Sequence, residues 1–138
     1  MKIEHVGYLC KDINKSIKAF LSLGYEQETA VFEDNVKDGD NKARNVNICF
    51  LRNGNYRVEL VSPIDETSDV YATIKRQGEG PYHICYQVDD LESSVIELKQ
   101  SGWMVLRRPA KAIAFNNNRV VFLFKAGVGT IELVEMRV

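Results

Sequence analysis

Apolar residues in the first half of the chain change from a strand-like to a helical spacing and back again. The run Ile3–Cys10 is short and mostly apolar, so it predicts a strand. Helical spacing follows between Asp12, which is suited to cap a helix, and Gly24, which is suited to end one. β-forming residues then return in segments that predict strands at 25–32, 45–51 and 56–62. The first half therefore has the predicted order β-α-β-β-β.

The second half of the chain repeats the first. His83–Val95 repeats His5–Ile17 at a constant offset of 78 residues, so the only two histidines occupy equivalent positions. The last two strands of each half repeat at an offset of 73, which aligns 58–61 with 131–134. Asp89 with Glu92 predicts a capping box at the start of the second helix. Duplication explains both repeats, and the predicted strands of the second half are 82–88, 103–106, 119–125 and 130–136.

Chain length and the repeat together predict one domain made of two modules. A chain of 138 residues has the size of a single domain of roughly 100–200 residues. Each half is too short to bury a large core by itself. We expect module one at about 1–62, a linker at 63–80 with a short helix at 70–76, and module two at about 81–138. The predicted fold is therefore α+β, with two tandem β-α-β-β-β modules in a single domain, 1–138.

Charge and cysteine content narrow the range of partners. The 18 Lys and Arg residues nearly balance the 19 Asp and Glu residues, which leaves no broad basic surface for nucleic acid. Cys10, Cys49 and Cys85 lie in apolar runs without a Cys-x-x-Cys pair, and this predicts buried, reduced thiols. No apolar run approaches the length of about 18 residues that could cross a membrane. We therefore expect a cytoplasmic protein that binds a small molecule.

Two histidines and two glutamates stand out as candidate metal ligands. Each half contributes one His from its first strand, His5 or His83, and one Glu from its last strand, Glu59 or Glu132. Both glutamates interrupt apolar runs in mid-strand, where a carboxylate is costly unless it is paired or binds a cation. Two imidazoles and two carboxylates suit a first-row divalent metal with coordination positions left open for substrate. Hydrogen-bonded histidines beside surface glutamates are the simpler alternative, but the symmetric placement of all four residues favours a metal.

The same residues carry a resemblance to a known family. The chain resembles the vicinal oxygen chelate superfamily, which includes glyoxalase I, methylmalonyl-CoA epimerase, extradiol dioxygenases and bleomycin-resistance proteins. The resemblance spans essentially the full length and is closest to methylmalonyl-CoA epimerase in segments 5–8, 55–60, 83–89 and 131–134. It implies that the two modules form a cupped, mostly antiparallel eight-stranded sheet around a metal ion. The residues that fall on the family's ligand positions are His5, Glu59, His83 and Glu132.

The resemblance also implies a reaction. A divalent ion, one of Co, Ni, Mn or Zn, would bind two neighbouring oxygens of the substrate and stabilise an enolate, with Glu132 as the base. Return of the proton to the same carbon gives an epimerase of the methylmalonyl-CoA type. Return to the neighbouring carbon gives a glyoxalase I-like lactoylglutathione lyase acting on a thiol hemithioacetal. Arg57, on the same strand face as Glu59, and Lys111 are the candidate substrate-binding residues.

One departure from the epimerase pattern keeps the alternatives open. Methylmalonyl-CoA epimerases resemble two-base enzymes, with a second Glu shortly before the third strand. The segment Asn41–Asn45 contains no Glu, although Asp40 is nearby. A non-enzymatic, drug-binding protein of the resistance type is a further alternative, which the complete ligand set disfavours. An extradiol dioxygenase is less favoured again, since those enzymes usually have two His and one Glu in a longer chain. Family members usually form homodimers, and we expect one here.

Overall fold

The computed structural model describes residues 1–37 and 40–136, which divide into two units. The N-terminal unit contains His5–Asn35 and Ala43–Tyr82. The C-terminal unit contains Met1–Glu4 and the described residues of Val36–Lys42 and His83–Val138. Within the described residues, no helix is long and apolar enough to span a membrane. Each unit is built around one of the two predicted modules, while their union in a single domain, 1–138, stays a prediction.

The N-terminal unit has a mixed sheet with the strand order β2-β4-β5-β1, and β3 pairs with β4. β1 and β5 are parallel, whereas β4 is antiparallel to β5, β2 and β3. Parallel pairing of β1 and β5 is what brings the first and last strands of the module side by side. The elements are β1 (Lys2–Leu9), α1 (Ile13–Leu21), β2 (Glu26–Gln27), β3 (Phe32–Asp34), β4 (Val46–Asn53), β5 (Tyr56–Pro63) and α2 (Tyr71–Gln77).

The C-terminal unit repeats this arrangement with the order β6-β10-β9-β7, and β8 pairs with β9. β6 and β10 are parallel, and β9 is antiparallel to β10, β7 and β8. The α+β class and the β-α-β-β-β plan of both modules are confirmed. The elements are β6 (Gly80–Val88), α3 (Leu91–Gln100), β7 (Met104–Val105), β8 (Ala110–Ala112), a 3-10 turn (Ile113–Phe115), β9 (Asn118–Lys125) and β10 (Gly129–Glu135).

Each module contains one short strand more than the sequence predicts. In the first module the predicted strand 25–32 is split into β2 and β3, because the backbone bulges between them. The N–H groups of Glu28 and Thr29 both donate to the carbonyl of Phe50, at 2.8 and 3.3 Å. Glu28 and Thr29 thus both lie opposite Phe50. This bulge interrupts the hydrogen bonding with β4 and bends the strand. In the second module β8 forms in a segment predicted as loop.

One helix packs on one face of each sheet, and equivalent residues form the two cores. Tyr8 and Tyr86 pack against these cores, so strand alternation places them on the face opposite the histidines. The N-terminal core contains Cys10, Ile13, Ile17, Cys49, Leu51, Val58 and Leu60. The C-terminal core contains Val88, Leu91, Val121, Leu123, Ile131 and Leu133.

The cores also correct the alignment of the two hairpins. Val58 and Leu60 match Ile131 and Leu133 at the predicted offset of 73. Cys49 and Leu51, however, match Val121 and Leu123, which is an offset of 72. The extra residue lies in the turn, because Asn53 pairs with Tyr56 whereas Lys125 pairs with Gly129. A single offset of 73 for both strands is therefore wrong.

The helix caps are equivalent as well. Asp12 accepts hydrogen bonds from the backbone N–H of Asn14 at 3.1 Å and of Lys15 at 3.2 Å, which confirms it as the cap of α1. In the second helix the cap is Asp90, which accepts from the N–H of Ser93 at 3.0 Å. The prediction that Asp89 begins this capping box is wrong by one residue, because α3 begins at Leu91.

Candidate metal centre

The N-terminal unit places His5 and Glu59 on the sheet face opposite α1. Val58 and Leu60 point into the core beneath the helix, so Glu59 between them points to the other face. Parallel pairing sets Gly7 of β1 directly opposite Glu59. His5 lies two residues before Gly7 and therefore on the same face. Gly7 has no side chain beyond a hydrogen atom, so it does not fill the position opposite the carboxylate.

The side chains of His5 and Glu59 meet in a buried setting. His5 Nε2 lies 3.5 Å from Glu59 Oε1, and the exposed fractions of the two side chains are 0% and 8%. Phe50 of β4, in register with Glu59, presents its ring to the imidazole in an edge-on contact, with centroids 5.5 Å apart. The aromatic contact fixes the plane of the imidazole, so His5 directs Nε2 at the carboxylate.

The C-terminal unit repeats this geometry with its own residues. His83 Nε2 lies 3.3 Å from Glu132 Oε1, with side-chain exposures of 0% and 6%. Phe122 of β9 pairs with Glu132 and makes the edge-on contact with His83, at 5.3 Å between centroids. Cys85, fully buried, takes the position opposite Glu132 that Gly7 takes opposite Glu59. The two His–Glu pairs are therefore equivalent in element, face, partner ring and distance.

The donor spacing within each pair fits a shared metal ion. Two donors each about 2.1 Å from one ion, at an angle of about 90–109°, lie about 3.0–3.4 Å apart. The observed distances of 3.5 and 3.3 Å are close to that spacing. A direct charged N–H···O contact would instead be about 2.7–2.9 Å. An imidazole nitrogen and a carboxylate oxygen are also a suitable donor set for a first-row divalent ion.

Comparison with known proteins places this site in a family. The sequence model of the Glyoxalase/Bleomycin resistance protein/Dioxygenase superfamily matches residues 4–122. The chain belongs to that superfamily. The matched region includes His5, Glu59 and His83 but ends before Glu132.

Relatives with assigned names are methylmalonyl-CoA epimerases. Bovine mitochondrial methylmalonyl-CoA epimerase is 30% identical over 92 residues, which cover 66% of this chain and 51% of that protein. The human enzyme is 26% identical over 137 residues, covering 98% of this chain and 72% of that protein. The match thus spans about half the length of the bovine relative.

A solved structure shares the fold. It is a variant of Streptomyces coelicolor methylmalonyl-CoA epimerase in complex with 2-nitronate-propionyl-CoA. The TM-score is 0.76 at 20% identity, with 100% of this chain and 99% of that chain covered. At this identity the likeness supports the fold, and the resemblance predicted from sequence is confirmed at superfamily level.

Arg57, a predicted substrate-binding residue, lies on β5 two residues before Glu59 and on the same face of the sheet. Its guanidinium carbon is 3.9 Å from the centroid of the Phe50 ring. Its Nη2 and Nε also contact Glu28 Oε1, at 2.9 and 3.1 Å. Only 15% of the Arg57 side chain is exposed, so it is not a solvated surface cation.

The other predicted residues are more exposed. Lys111 lies on β8, in register with Arg119, and its side chain is exposed. Its role in substrate binding stays a prediction. The segment 41–45, in which the sequence analysis looks for a second Glu, contains none. Asp40 Oδ1 lies 3.7 Å from Arg108 Nε. The Asp40 side chain is 48% exposed, so the two residues form an ion pair at the surface.

The three cysteines are free and buried, as predicted. Burial raises the pKa of the Cys10 thiol to about 11, so this sulfur is protonated at neutral pH. Burial raises the pKa of the Cys49 thiol as well. Neither thiol is poised to act as a nucleophile or a thiolate ligand.

Sequence reasoning missed three residues at the site. Phe50 and Phe122 support the imidazoles, and the one-residue slip between the hairpins hides their equivalence. Glu28, the partner of Arg57, lies inside the predicted strand 25–32, which the structure splits into β2 and β3. Both omissions result from local irregularities, a turn insertion and a bulge, that residue spacing does not reveal.

Proposed function

We propose that the protein is a divalent-metal-dependent epimerase that transfers a proton next to the carbonyl of a carboxylated acyl thioester. The observation that carries the proposal is the duplicated, buried His–Glu pair with metal-compatible donor spacing. Membership of the superfamily and the methylmalonyl-CoA epimerase names of the relatives support it. An acyl-CoA complex of a protein with the same fold points to a thioester as the substrate class.

The proposed ligands of a single ion are one His–Glu pair from each module. They are His5, Glu59, His83 and Glu132. A divalent ion bound by them, Co, Ni, Mn or Zn, would act as a Lewis acid towards a substrate carbonyl. The proposal rests on the equivalence of the pairs and on the family resemblance.

Glu132 is the proposed base. The residue is 5% exposed and lies on the sheet face opposite α3, beside the His83 imidazole, which contacts Phe122 edge-on. A carboxylate held next to the reacting carbon can act as a general base. Glu132 would take the proton from the carbon next to the carbonyl, and solvent would have to supply a proton to the opposite face of that carbon to complete epimerisation.

A glyoxalase I-like reaction is the second candidate, and Ala43 favours it. Epimerisation needs a proton donor on the face opposite Glu132, yet the segment 41–45 has no carboxylate. Isomerisation of a thiol hemithioacetal can use the same base twice, since the proton returns to the neighbouring carbon. The loss of a second base thus weakens epimerisation without affecting isomerisation.

Elemental analysis and solvent deuterium exchange test the proposal together. Protein purified without chelator should contain close to one divalent ion per chain. In D2O, NMR should show loss of the proton next to the carbonyl of methylmalonyl-CoA. Turnover of a methylglyoxal–thiol hemithioacetal instead would select the glyoxalase reaction. A metal-free protein that stays inactive after addition of Co, Ni, Mn or Zn would contradict both and favour a drug-binding protein. Homodimer formation and a cytoplasmic location also remain part of the prediction.

A further inference from the structure

Four apolar side chains form a continuous group on the histidine face of the C-terminal sheet. The ring of Phe122 contacts His83 edge-on, which identifies that face. Phe124 lies two residues further along β9 and therefore on the same face. With two neighbours from the segment that contains β7, these rings form what we call the apolar patch: Met104, Leu106, Phe122 and Phe124.

Strand pairing places Met104 and Leu106 on this face. Met104 of β7 pairs directly with Phe124, so the two side chains lie side by side. Leu106 follows two residues later, and its N–H donates to the carbonyl of Phe122 at 2.9 Å. The patch thus extends from the ring beside His83 to β7, which is the last strand in the order of this sheet.

The part of the patch that lies away from His83 is open to solvent. Met104 is 58% exposed, Leu106 45% and Phe124 38%, whereas Phe122 is half-buried. Single exposed apolar residues are common on proteins, but adjoining ones mark a binding surface more often. These side chains have no hydrogen-bond donor, so the part of a ligand that covers them gains most if it is hydrocarbon.

The three solvent-exposed residues of the patch have charged equivalents in the N-terminal module. The equivalences follow from the strand pairing and from the hydrogen bond to the carbonyl of the phenylalanine beside each histidine. The equivalents of Met104, Leu106 and Phe124 are, in that order, Glu26, Glu28 and Arg52. Because both modules form the same strands, the fold does not require an apolar surface here. The apolar residues therefore point to a ligand of the C-terminal module.

The distance from Glu132 determines which part of a substrate reaches the patch. Phe122 pairs with Glu132 on the neighbouring strand, at a strand spacing of about 5 Å, and Leu106 lies one spacing further. A methyl group on a carbon held beside Glu132 is shorter than one spacing, so it ends at Phe122. A straight chain of several carbons extends beyond this ring, over Leu106 and Phe124.

We propose that the apolar patch is a subsite for an alkyl branch longer than methyl on the reacting carbon of the substrate. This inference rests on the proposed function and deepens it, because it identifies the side chain of the acyl group. Contact between the alkyl chain and the patch removes apolar surface of both from water. The flexible Met104 side chain adapts to chains of different length. The favoured substrates are alkylmalonyl thioesters such as butylmalonyl-CoA, and methylmalonyl-CoA is the weaker ligand.

Calorimetry with racemic thioesters tests the subsite at equilibrium. Epimerisation leaves a racemic mixture unchanged, so turnover does not disturb the measurement. The probes are methylmalonyl-CoA and butylmalonyl-CoA, added to the full-length protein purified without chelator. Each methylene group that the patch covers contributes about two- to fourfold in affinity. Butylmalonyl-CoA should therefore bind about 10- to 60-fold more tightly than methylmalonyl-CoA.

Two variants reduce the patch. Phe124→Thr, which keeps a β-forming residue, and Leu106→Ala should each lower the preference for butylmalonyl-CoA by about fivefold, since each removes apolar contact area. Urea denaturation shows whether the variants fold, and Met104→Ala gives the same readout at the most exposed position of the patch.

The matched control is Ile96→Ala. Ile96 is 57% exposed, which is similar to Met104, but it lies on α3, on the other face of the sheet. This substitution removes a comparable apolar side chain and should leave the preference for butylmalonyl-CoA unchanged. A loss as large as that of Leu106→Ala would show that the preference does not come from the patch.

Three further results would overturn the assignment. Equal binding of the two thioesters by the wild type would show that the patch receives no alkyl branch. An equal loss of affinity for both thioesters in Phe124→Thr would show that the patch binds the CoA arm that they share. A change in mass by light scattering in Phe124→Thr, with the preference retained, would make the patch an interface between copies of the chain.

Deuterium exchange separates this inference from the proposed reaction. Tighter binding of butylmalonyl-CoA without loss of the proton next to its carbonyl in D2O would contradict the reaction and support the subsite. Exchange in both thioesters, together with equal affinity for them, would support the reaction and overturn the subsite.

Discussion

The two modules have equivalent His–Glu pairs, but they differ in charge at a position next to each pair. His5–Glu59 and His83–Glu132 have the same faces, partner rings and nearly the same distances. Two residues before the glutamate, the first module has the charged Arg57 and the second has the neutral Thr130. The duplication therefore keeps the two proposed metal-binding pairs alike, while a neighbouring position differs in charge.

Removing either histidine should have the largest effect. His5→Ala and His83→Ala should each lower the deuterium exchange rate on the order of a thousandfold, because each removes a metal ligand. Metal content by mass spectrometry should fall in both variants by similar amounts. A large loss in one variant and none in the other would break the proposed equivalence of the two pairs.

The two glutamates should behave differently despite their similar surroundings. Glu132→Gln should reduce exchange by about 10²–10⁴-fold, the usual contribution of a general base, while an amide oxygen can still bind metal. Glu59→Gln should reduce exchange by about tenfold or less. Both are compared at equal metal occupancy. Equal losses would assign proton transfer to neither residue alone.

The positions of the four candidate ligands can be predicted from the sequence more readily than the residues around them. His5 and His83 are recognisable because they are the only histidines and lie at equivalent positions, and mid-strand Glu59 and Glu132 are costly without a function. The contacts of Phe50 and Glu28 were not predictable, because a turn insertion and a bulge decide them. Such irregularities depend on long-range strand pairing, which single-sequence periodicity does not contain.

The helix caps provide a comparison based on stability. Asp12→Ala and Asp90→Ala should each lower the free energy of unfolding by about 1 kcal/mol, because each cap satisfies exposed N–H groups at a helix start. Asp12 should have the larger effect, since it accepts two hydrogen bonds where Asp90 accepts one. Asp89→Ala is the matched control and should be nearly neutral in urea denaturation. A substantial loss in that control would restore Asp89 as the cap.

The smallest expected effect is the pH dependence of the contacts that Glu28 makes with Arg52 and Arg57. The folded pKa of Glu28 lies below its ordinary value of 4.5, despite partial burial, because Arg57 and Arg52 bond to its carboxylate. The resulting stabilisation is present above that value and is lost as the pH falls through the folded pKa. The difference in unfolding free energy between the wild type and Glu28→Gln should therefore shrink from pH 7 to pH 3. A difference that stays constant over this range would show that Glu28 contributes by packing alone.

The parallel pairing of β1 with β5, and of β6 with β10, has a consequence for biogenesis. Each His–Glu pair joins the first and last strands of its module, residues separated by 54 and 49 positions along the chain. Such a distant closure is among the slower steps of folding, since a long loop must be ordered first. A ribosome-bound fragment that lacks a final strand therefore holds an imidazole without its carboxylate. A metal ion could then be bound only after the last strand of a module has paired. The strand order would therefore disfavour metal binding to an incomplete nascent chain.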